Sequence, residues 1–318
     1  MNYTFAKKAG SVAVVTLFIV TILLAAYVLV AAPRNTHVQY FVVEPGQSTR
    51  EIAEQLHKKN LIQSEFLFRL FSKGLQLDGK AKSGTYAVDR PETLLTWLFR
   101  VHRADYRVTP VKITLVEGLN IFETADVLAK NLPHISAEEF VRLATEYEGY
   151  LYPDTYLFLP DVSEVNVLNL LLRTFEEKTK DIFVERGLSE QEVADVINLA
   201  SIVEEETFNN EDRRIVAGVL LNRLEINMPL QVDVTFQYIN GKNSYTLTVA
   251  DLKEDSPYNT YVNRGLPPTP ISSPSLESIM AVLDPVPSEY LYFLSSRSGV
   301  MYYAKTFEGH IRNRQLYL

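Results

Sequence analysis

The chain of 318 residues contains no cysteine. That removes disulfide frameworks, zinc knuckles and thiol nucleophiles at once, and it leaves the redox compartment unread. Positive charge is also scarce: 31 Lys and Arg stand against 39 Asp and Glu, and the basic residues are scattered rather than gathered into a stripe. Without such a stripe a phosphate backbone finds no counter-charge, so nucleic acid is not an expected partner. The five histidines, His37, His57, His102, His134 and His310, form no H-x-x-x-H or H-E-x-x-H pair, and no G-x-S-x-G turn or phosphate loop occurs. A zinc amidase or a serine esterase is thereby disfavoured. No metal or cofactor is expected, and the carboxylates become the candidates for chemistry.

Apolar and aromatic residues are plentiful, with 18 Tyr and 16 Phe, enough for a sizeable core shared by two or three units. From Gly10 to Pro33 the sequence carries no charge. At ~1.5 Å rise per residue that run crosses a hydrocarbon layer of ~30 Å, so it reads as an uncleaved membrane anchor, a signal peptide being the alternative. Lys7 and Lys8 precede it and only Arg34 follows closely, which places the N-terminus in the cytoplasm and the rest outside.

The exported part opens with a repeat. "VVEPGQSTREIAEQL" (Val42 to Leu56) and "TLVEGLNIFETADVL" (Thr114 to Leu128) share G-x4-E-x-A-x2-L. Each reads as a strand, a glycine turn and an amphipathic helix, followed by a second helix that Ser64 or Ser136 opens. Two small α+β modules are expected, chance similarity of two strand-turn-helix units being the other reading.

Attention then falls on "LASIVEEETFNN", Leu199 to Asn210. The pattern predicts a helix over Ser189–Thr207 with Ser189 as cap and an apolar stripe of Val193, Val196, Ile197, Leu199, Ala200 and Val203. Turning ~100° per residue, Glu205 lies opposite that stripe and in solvent, Glu204 lies inside its edge, and Glu206 flanks it on the last turn. Apolar contact and the negative helix terminus both favour a protonated Glu206, which is what a general acid needs. The opposing reading is a charged, fraying helix end. Asn210 is expected to cap a second helix, "EDRRIVAGVLLNRLEI", and "MPLQVDVTFQYINGKNSYTL" alternates like a β-hairpin turning at Asn240-Gly241. The loop "EDSPYNTYVNRGLPPTPISSPS" carries aromatics and amides suited to the rim of a sugar cleft.

"YFVVEPGQSTREIAEQL" resembles the opening of a LysM-type module, a βααβ fold associated with N-acetylglucosamine-containing glycans. Together, "ASIVEEET", "AGVLLNRL", "MPLQVDVTFQY", "SPYNTY" and "GLPPTPIS" resemble the YceG-like endolytic murein transglycosylases, with "EGYLYPDTY" (Glu148 to Tyr156) in the connecting module. The resemblance covers essentially the whole chain and implies an α+β architecture. Its parts are a cytoplasmic tail over 1–10, a transmembrane helix over 11–33, a LysM-like module over 38–105, a connecting module over 107–183, and a lysozyme-like transglycosylase domain of helices and a β-hairpin over 184–318. It implies Glu206 as the catalytic residue, in E-x-E-T, and Gln231, Asp233, Tyr258, Asn259, Thr260 and Tyr261 as residues lining the cleft, with Glu204 also placed at the substrate. Peptidoglycan strands are the implied substrate, penicillin-binding synthases the implied partners, and the plasma membrane the implied location. The chain departs from the family's pattern in three places: Glu205 where a basic residue is usual, "QVDVT" for "QSDPT", and "GLPPTPISSPS" for the family's proline-glycine loop. His310 is expected at the rim rather than in catalysis. A muramidase using Asp233 as second carboxylate and a non-catalytic wall-binding scaffold remain as alternatives.

Overall fold

The computed structural model describes residues 40–318 apart from 208, 243–245 and 297, together with Thr16, Phe18 and Ile19. The expected cytoplasmic tail, and all of the expected membrane span except those three residues, lie outside the described residues. Among those described, no helix is long and apolar enough to cross a membrane. The chain divides into two compact units, Met1–Pro110 and Val111–Leu318.

In the first unit, β1 (Tyr40–Val43), α1 (Thr49–Lys58), α2 (Glu65–Gly74), β2 (Gly84–Ala87) and α3 (Leu94–Arg103) follow in order, with β1 and β2 paired antiparallel from Tyr40↔Ala87 to Val43↔Gly84. The sequence makes each turn explicable. Gly46 takes φ +83°, open to glycine at no steric cost, and Ser48 then caps α1 while Glu51 reaches back to the Ser48 amide. The face that α1 and β1 share buries Phe41, Ile52, Leu56, Phe68, Trp97 and Leu98.

The second unit begins with the same design. β3 (Val111–Thr114), α4 (Ile121–Asn131), α5 (Ala137–Ala144) and β4 (Thr155–Phe158) form a βααβ unit in which β3 and β4 pair antiparallel. Gly118 repeats the positive φ at +81°, and Asn120 with Glu123 repeats the reciprocal cap. The glutamate shared by the two copies is therefore a helix-capping residue in both. Ile113, Ile121, Leu128, Phe140 and Phe158 form its own buried cluster.

A second cluster of the same unit is built around α6 (Glu164–Glu185), α7 (Glu190–Glu206), α8 (Asn210–Glu225) and α10 (Leu276–Leu283). Helix α7 starts where expected, with Ser189 and Glu192 forming a capping box. Its second half departs from the surface-helix pattern. Ile197 through Glu204 are buried without interruption, because α8, α10 and the 271–275 segment close around every face. Asn209 rather than Asn210 caps α8, its Oδ1 accepting from the Asp212 amide at 2.9 Å.

The hairpin expected over residues 228–247 does not form among the described residues. Leu230 and Val232 are buried and Gln231 between them is exposed, so the alternation is real. It ends after three residues, because Val234 is helical and α9 (Thr235–Asn240) begins at once. Asn240-Gly241 serves as a helix stop, Gly241 taking φ +74° and donating to the Gln237 carbonyl, instead of as a hairpin turn. The hairpin of this unit lies further on, where β5 (Tyr292–Ser295) pairs with β6 (Met301–Ala304) and carries α11 (Phe307–Tyr317).

Candidate active site

The three glutamates that end α7 have three different environments. Glu204 is buried and fully engaged: Arg213 of α8 donates to it at 2.8 Å, the Ser275 amide at 2.8 Å, and the Ser275 hydroxyl as well. This is a correction to its placement at the substrate. A carboxylate with both oxygens taken by a buried cation and a helix cap joins α7, α8 and α10 together and has no free oxygen for a ligand.

Glu205 is also corrected, for it is half-buried rather than in solvent. Its carboxyl lies against Gly118, where an added Cβ would stand 2.6 Å from Oε1. Burial, then the charges of Glu123 and Glu204, push it up to about 7. The loop holding Gly118 is itself fastened to the core, Gly118 donating to the Ser273 carbonyl and Ser273 to that of Leu119, each at 2.9 Å.

Glu206 is half-buried at the end of α7. No hydrogen bond or ion pair to its carboxyl is formed among the described residues. Desolvation, then the Asp233 carboxylate, raises it to about 8, and Glu205 adds to that while the Arg223 guanidinium opposes it. Asp233 is held by the Tyr261 hydroxyl at 2.5 Å. Arg223 is buried, bonded to the Leu291 carbonyl at 2.6 Å and to the Leu230 carbonyl, with the Tyr292 ring 5.4 Å from its guanidinium carbon. A carboxyl group that keeps its proton near neutral pH beside a charged one is the arrangement that general acid catalysis requires.

The remaining predicted residues separate into two groups. Asp233, Tyr258 and Tyr261 are half-buried, and Asp233 and Tyr261 act electrostatically on Glu206 or on each other. Gln231 is exposed with φ +49° and fixes its backbone on the Thr260 carbonyl at 3.0 Å. Asn259 and Thr260 are buried and corrected as cleft residues. Asn259 donates to the Leu252 and Glu254 carbonyls, and Thr260 ties both backbone groups of Val232, so the pair holds the 251–261 loop against the 230–232 stretch. His310 stacks on Tyr292 with ring centres 5.5 Å apart, and burial, then Arg223, lowers it toward the neutral form.

The sequence reading missed Arg223 and Glu148. Arg223 stands in line with the apolar face of α8, at helical spacing from Val216, Val219 and Leu220, so a charge on that buried stripe was its signal in the sequence; only the fold brings residues 206, 223, 233 and 261 together. Glu148 is buried, accepts from the Ile121 amide at 3.1 Å and is pushed up to about 7 by burial. Its signal was present in "EGYLYPDTY", a glutamate followed by five uncharged residues, among them Tyr150, Leu151 and Tyr152, before the next charge.

A family model, the YceG-like family, matches residues 41–316. The chain belongs to the YceG-like family. Among its relatives is an endolytic murein transglycosylase of Bacillus subtilis (strain 168), 28% identical over 303 residues, which cover 87% of this chain and 84% of that one. A protein of the same name from Streptococcus pneumoniae serotype 2 (strain D39 / NCTC 7466) is 27% identical over 313 residues, and there the match spans 57% of the relative's length. A crystal structure of a yceG-like protein from Listeria monocytogenes superposes with a TM-score of 0.57 at 30% identity, covering 86% of this chain and 98% of that one. The matched region includes every residue of the site, from Gly118 to His310, so this YceG-like chain carries its glutamate cluster within the part it shares with the family.

Proposed function

We propose that the chain is a membrane-anchored endolytic peptidoglycan transglycosylase with Glu206 as its acid and base. The observation that carries this reading is Glu206 itself: half-exposed, without a fixed partner among the described residues, and held near pH 8 beside Asp233. Protonated Glu206 gives its proton to the oxygen linking N-acetylmuramic acid to N-acetylglucosamine, and the C1–O bond breaks with its electron pair passing to that oxygen. The carboxylate so formed takes the proton of the muramic C6 hydroxyl, whose oxygen closes on C1 as a 1,6-anhydro bond. An intramolecular nucleophile has a high effective concentration, so one carboxyl suffices where ordinary glycosidases use two. The names of the relatives from Bacillus subtilis and Streptococcus pneumoniae support this chemistry.

The finer parts of the reading rest on sequence. The uncharged run from Gly10 to Pro33 serves as a single-pass anchor in the plasma membrane with the N-terminus in the cytoplasm. The βααβ order of the first unit supports a LysM-like module over 38–105, followed by a connecting module over 107–183 and a catalytic domain over 184–318. Such a tether limits cleavage to nascent strands near the membrane, where penicillin-binding synthases would be the partners.

A muramidase reading has one observation in its favour, the closeness of Asp233 to Glu206; but Tyr261 already occupies an oxygen of Asp233. Mass spectrometry of purified peptidoglycan digested by the protein separates the readings. Anhydro-muramic ends that vanish in Glu206→Gln are expected; reducing ends that vanish in Asp233→Asn would make it a hydrolase.

A further inference from the structure

We propose that Phe122, Tyr238 and Tyr258 form a stacking platform for pyranose rings, a glycan subsite beside the carboxyl cluster of α7. The inference rests on the transglycosylase reading for the identity of the sugar polymer, though not for its test. Phe122 is the second residue of α4, and the buried face of that helix is made by Ile121, Ala125 and Leu128. Its own ring is 53% exposed, so the helix does not need it for packing. It lies 6.3 Å from the Tyr238 ring, which lies 4.9 Å from Tyr258, the planes tilted by 53° and 43°. Three rings in a row, on two helices and one loop, make one continuous aromatic surface.

The two tyrosines are braced from behind. Tyr258 shares a hydrogen bond of 2.8 Å with Thr269, and the Tyr238 hydroxyl side faces the buried Glu148. Glu148 in turn accepts from the Ile121 amide, one residue from Phe122. Tyr238 and Tyr258 are half-buried, their rings packed in part against the core cluster, so they have little rotamer entropy left to lose and present a rigid edge that the exposed Phe122 extends. The platform also joins the candidate site. Glu123 follows Phe122 directly and acts electrostatically on Glu205, the neighbour of Glu206. Aromatic faces bordered by carboxylates suit a sugar, whose axial C–H groups stack and whose hydroxyls donate. That combination selects a pyranose chain over an apolar peptide or an apolar face of a second copy, neither of which would use the carboxylates.

The test uses the full chain carrying Glu206→Gln, so that the probe is not consumed, with N-acetylglucosamine hexamer and uncrosslinked glycan strands as ligands in calorimetry. Adding Phe122→Ala is expected to weaken binding of both by about three- to tenfold, the range of a single aromatic contact, with an unchanged melting temperature. Phe122→Tyr is expected to keep the affinity and Phe122→Leu to lose it, because stacking needs a π-face. In the active chain Phe122→Ala should raise KM and leave kcat. Equal affinity in all variants, absence of hexamer and strand binding altogether, or recovery with Phe122→Leu would overturn the platform. So would a change confined to self-association in sedimentation. If no anhydro product forms in the wild type while Phe122→Ala still weakens hexamer binding, the reaction falls and the platform stands.

Discussion

Burial first raises Glu206, and two neighbours of opposite sign, Asp233 and Arg223, then adjust it. A general acid works only while protonated. Its folded value of about 8 lies above the ordinary carboxyl value of 4.5, so the competent form is full below that range and is lost as pH rises through about 8. The basic limb of kcat/KM for the free enzyme is therefore expected near pH 8. Removing the Asp233 charge in Asp233→Asn relieves the repulsion that holds the proton, and the limb should move toward lower pH. An unmoved limb in a pH profile of the variant would show that Asp233 does not act on Glu206. Arg223 lies on the other side of the balance, and its own value is lowered by burial first.

Among the elements, α7 decides the site, because it is the helix that the rest of its cluster surrounds. A surface helix ending in three glutamates would fray into water. Here eight successive residues are buried, and Glu204 is locked to Arg213 and Ser275 before the last turn is reached. That lock holds Glu205 and Glu206 in place. Glu204→Ala is expected to destabilise the folded chain by about 3 kcal/mol, since it leaves a buried guanidinium and a helix-capping hydroxyl without their partner. Urea unfolding measures this. Residual folded protein should keep its KM, whereas a role for Glu204 in binding would raise it. The elements themselves were largely legible. The strand, glycine turn and capped helix of each repeat follow from local rules, with Gly46 and Gly118 alike at positive φ. The misread element is the 228–247 stretch, and its ambiguity is physical: Asn-Gly satisfies a left-handed position equally well at a hairpin turn and at a helix end. Which use prevails depends on whether a partner strand exists, and local sequence does not carry that.

At the scale of the whole molecule, two units repeat a βααβ theme, and the second adds the helical cluster that contains Glu206. Cleavage and placement are separable under the proposed function. A version that begins after Arg34 should still produce anhydro ends from purified peptidoglycan, because all site residues lie between 118 and 310. In cells it should fail to restore glycan strand length, which tethering to the membrane would govern. Chromatographic measurement of strand length decides this: equal restoration by anchored and freed versions would remove the reason for a tether.

The sequence by itself determined the class of chemistry to look for, by lacking thiols and paired histidines, and it determined the glycine turns and caps of the two repeats and the Ser189 cap, since these depend on residues within four positions of one another. It also singled out "EEET". Only the tertiary structure decided which of those glutamates was free. Helical periodicity assigns one buried face, and the second half of α7 is buried on all of them, so the position opposite the stripe is enclosed as well. The partners that distinguish Glu204, Glu205 and Glu206 are Ser275, Gly118 and Asp233. They lie far from the glutamates in sequence, and electrostatic and steric contact at such separation is set by packing alone.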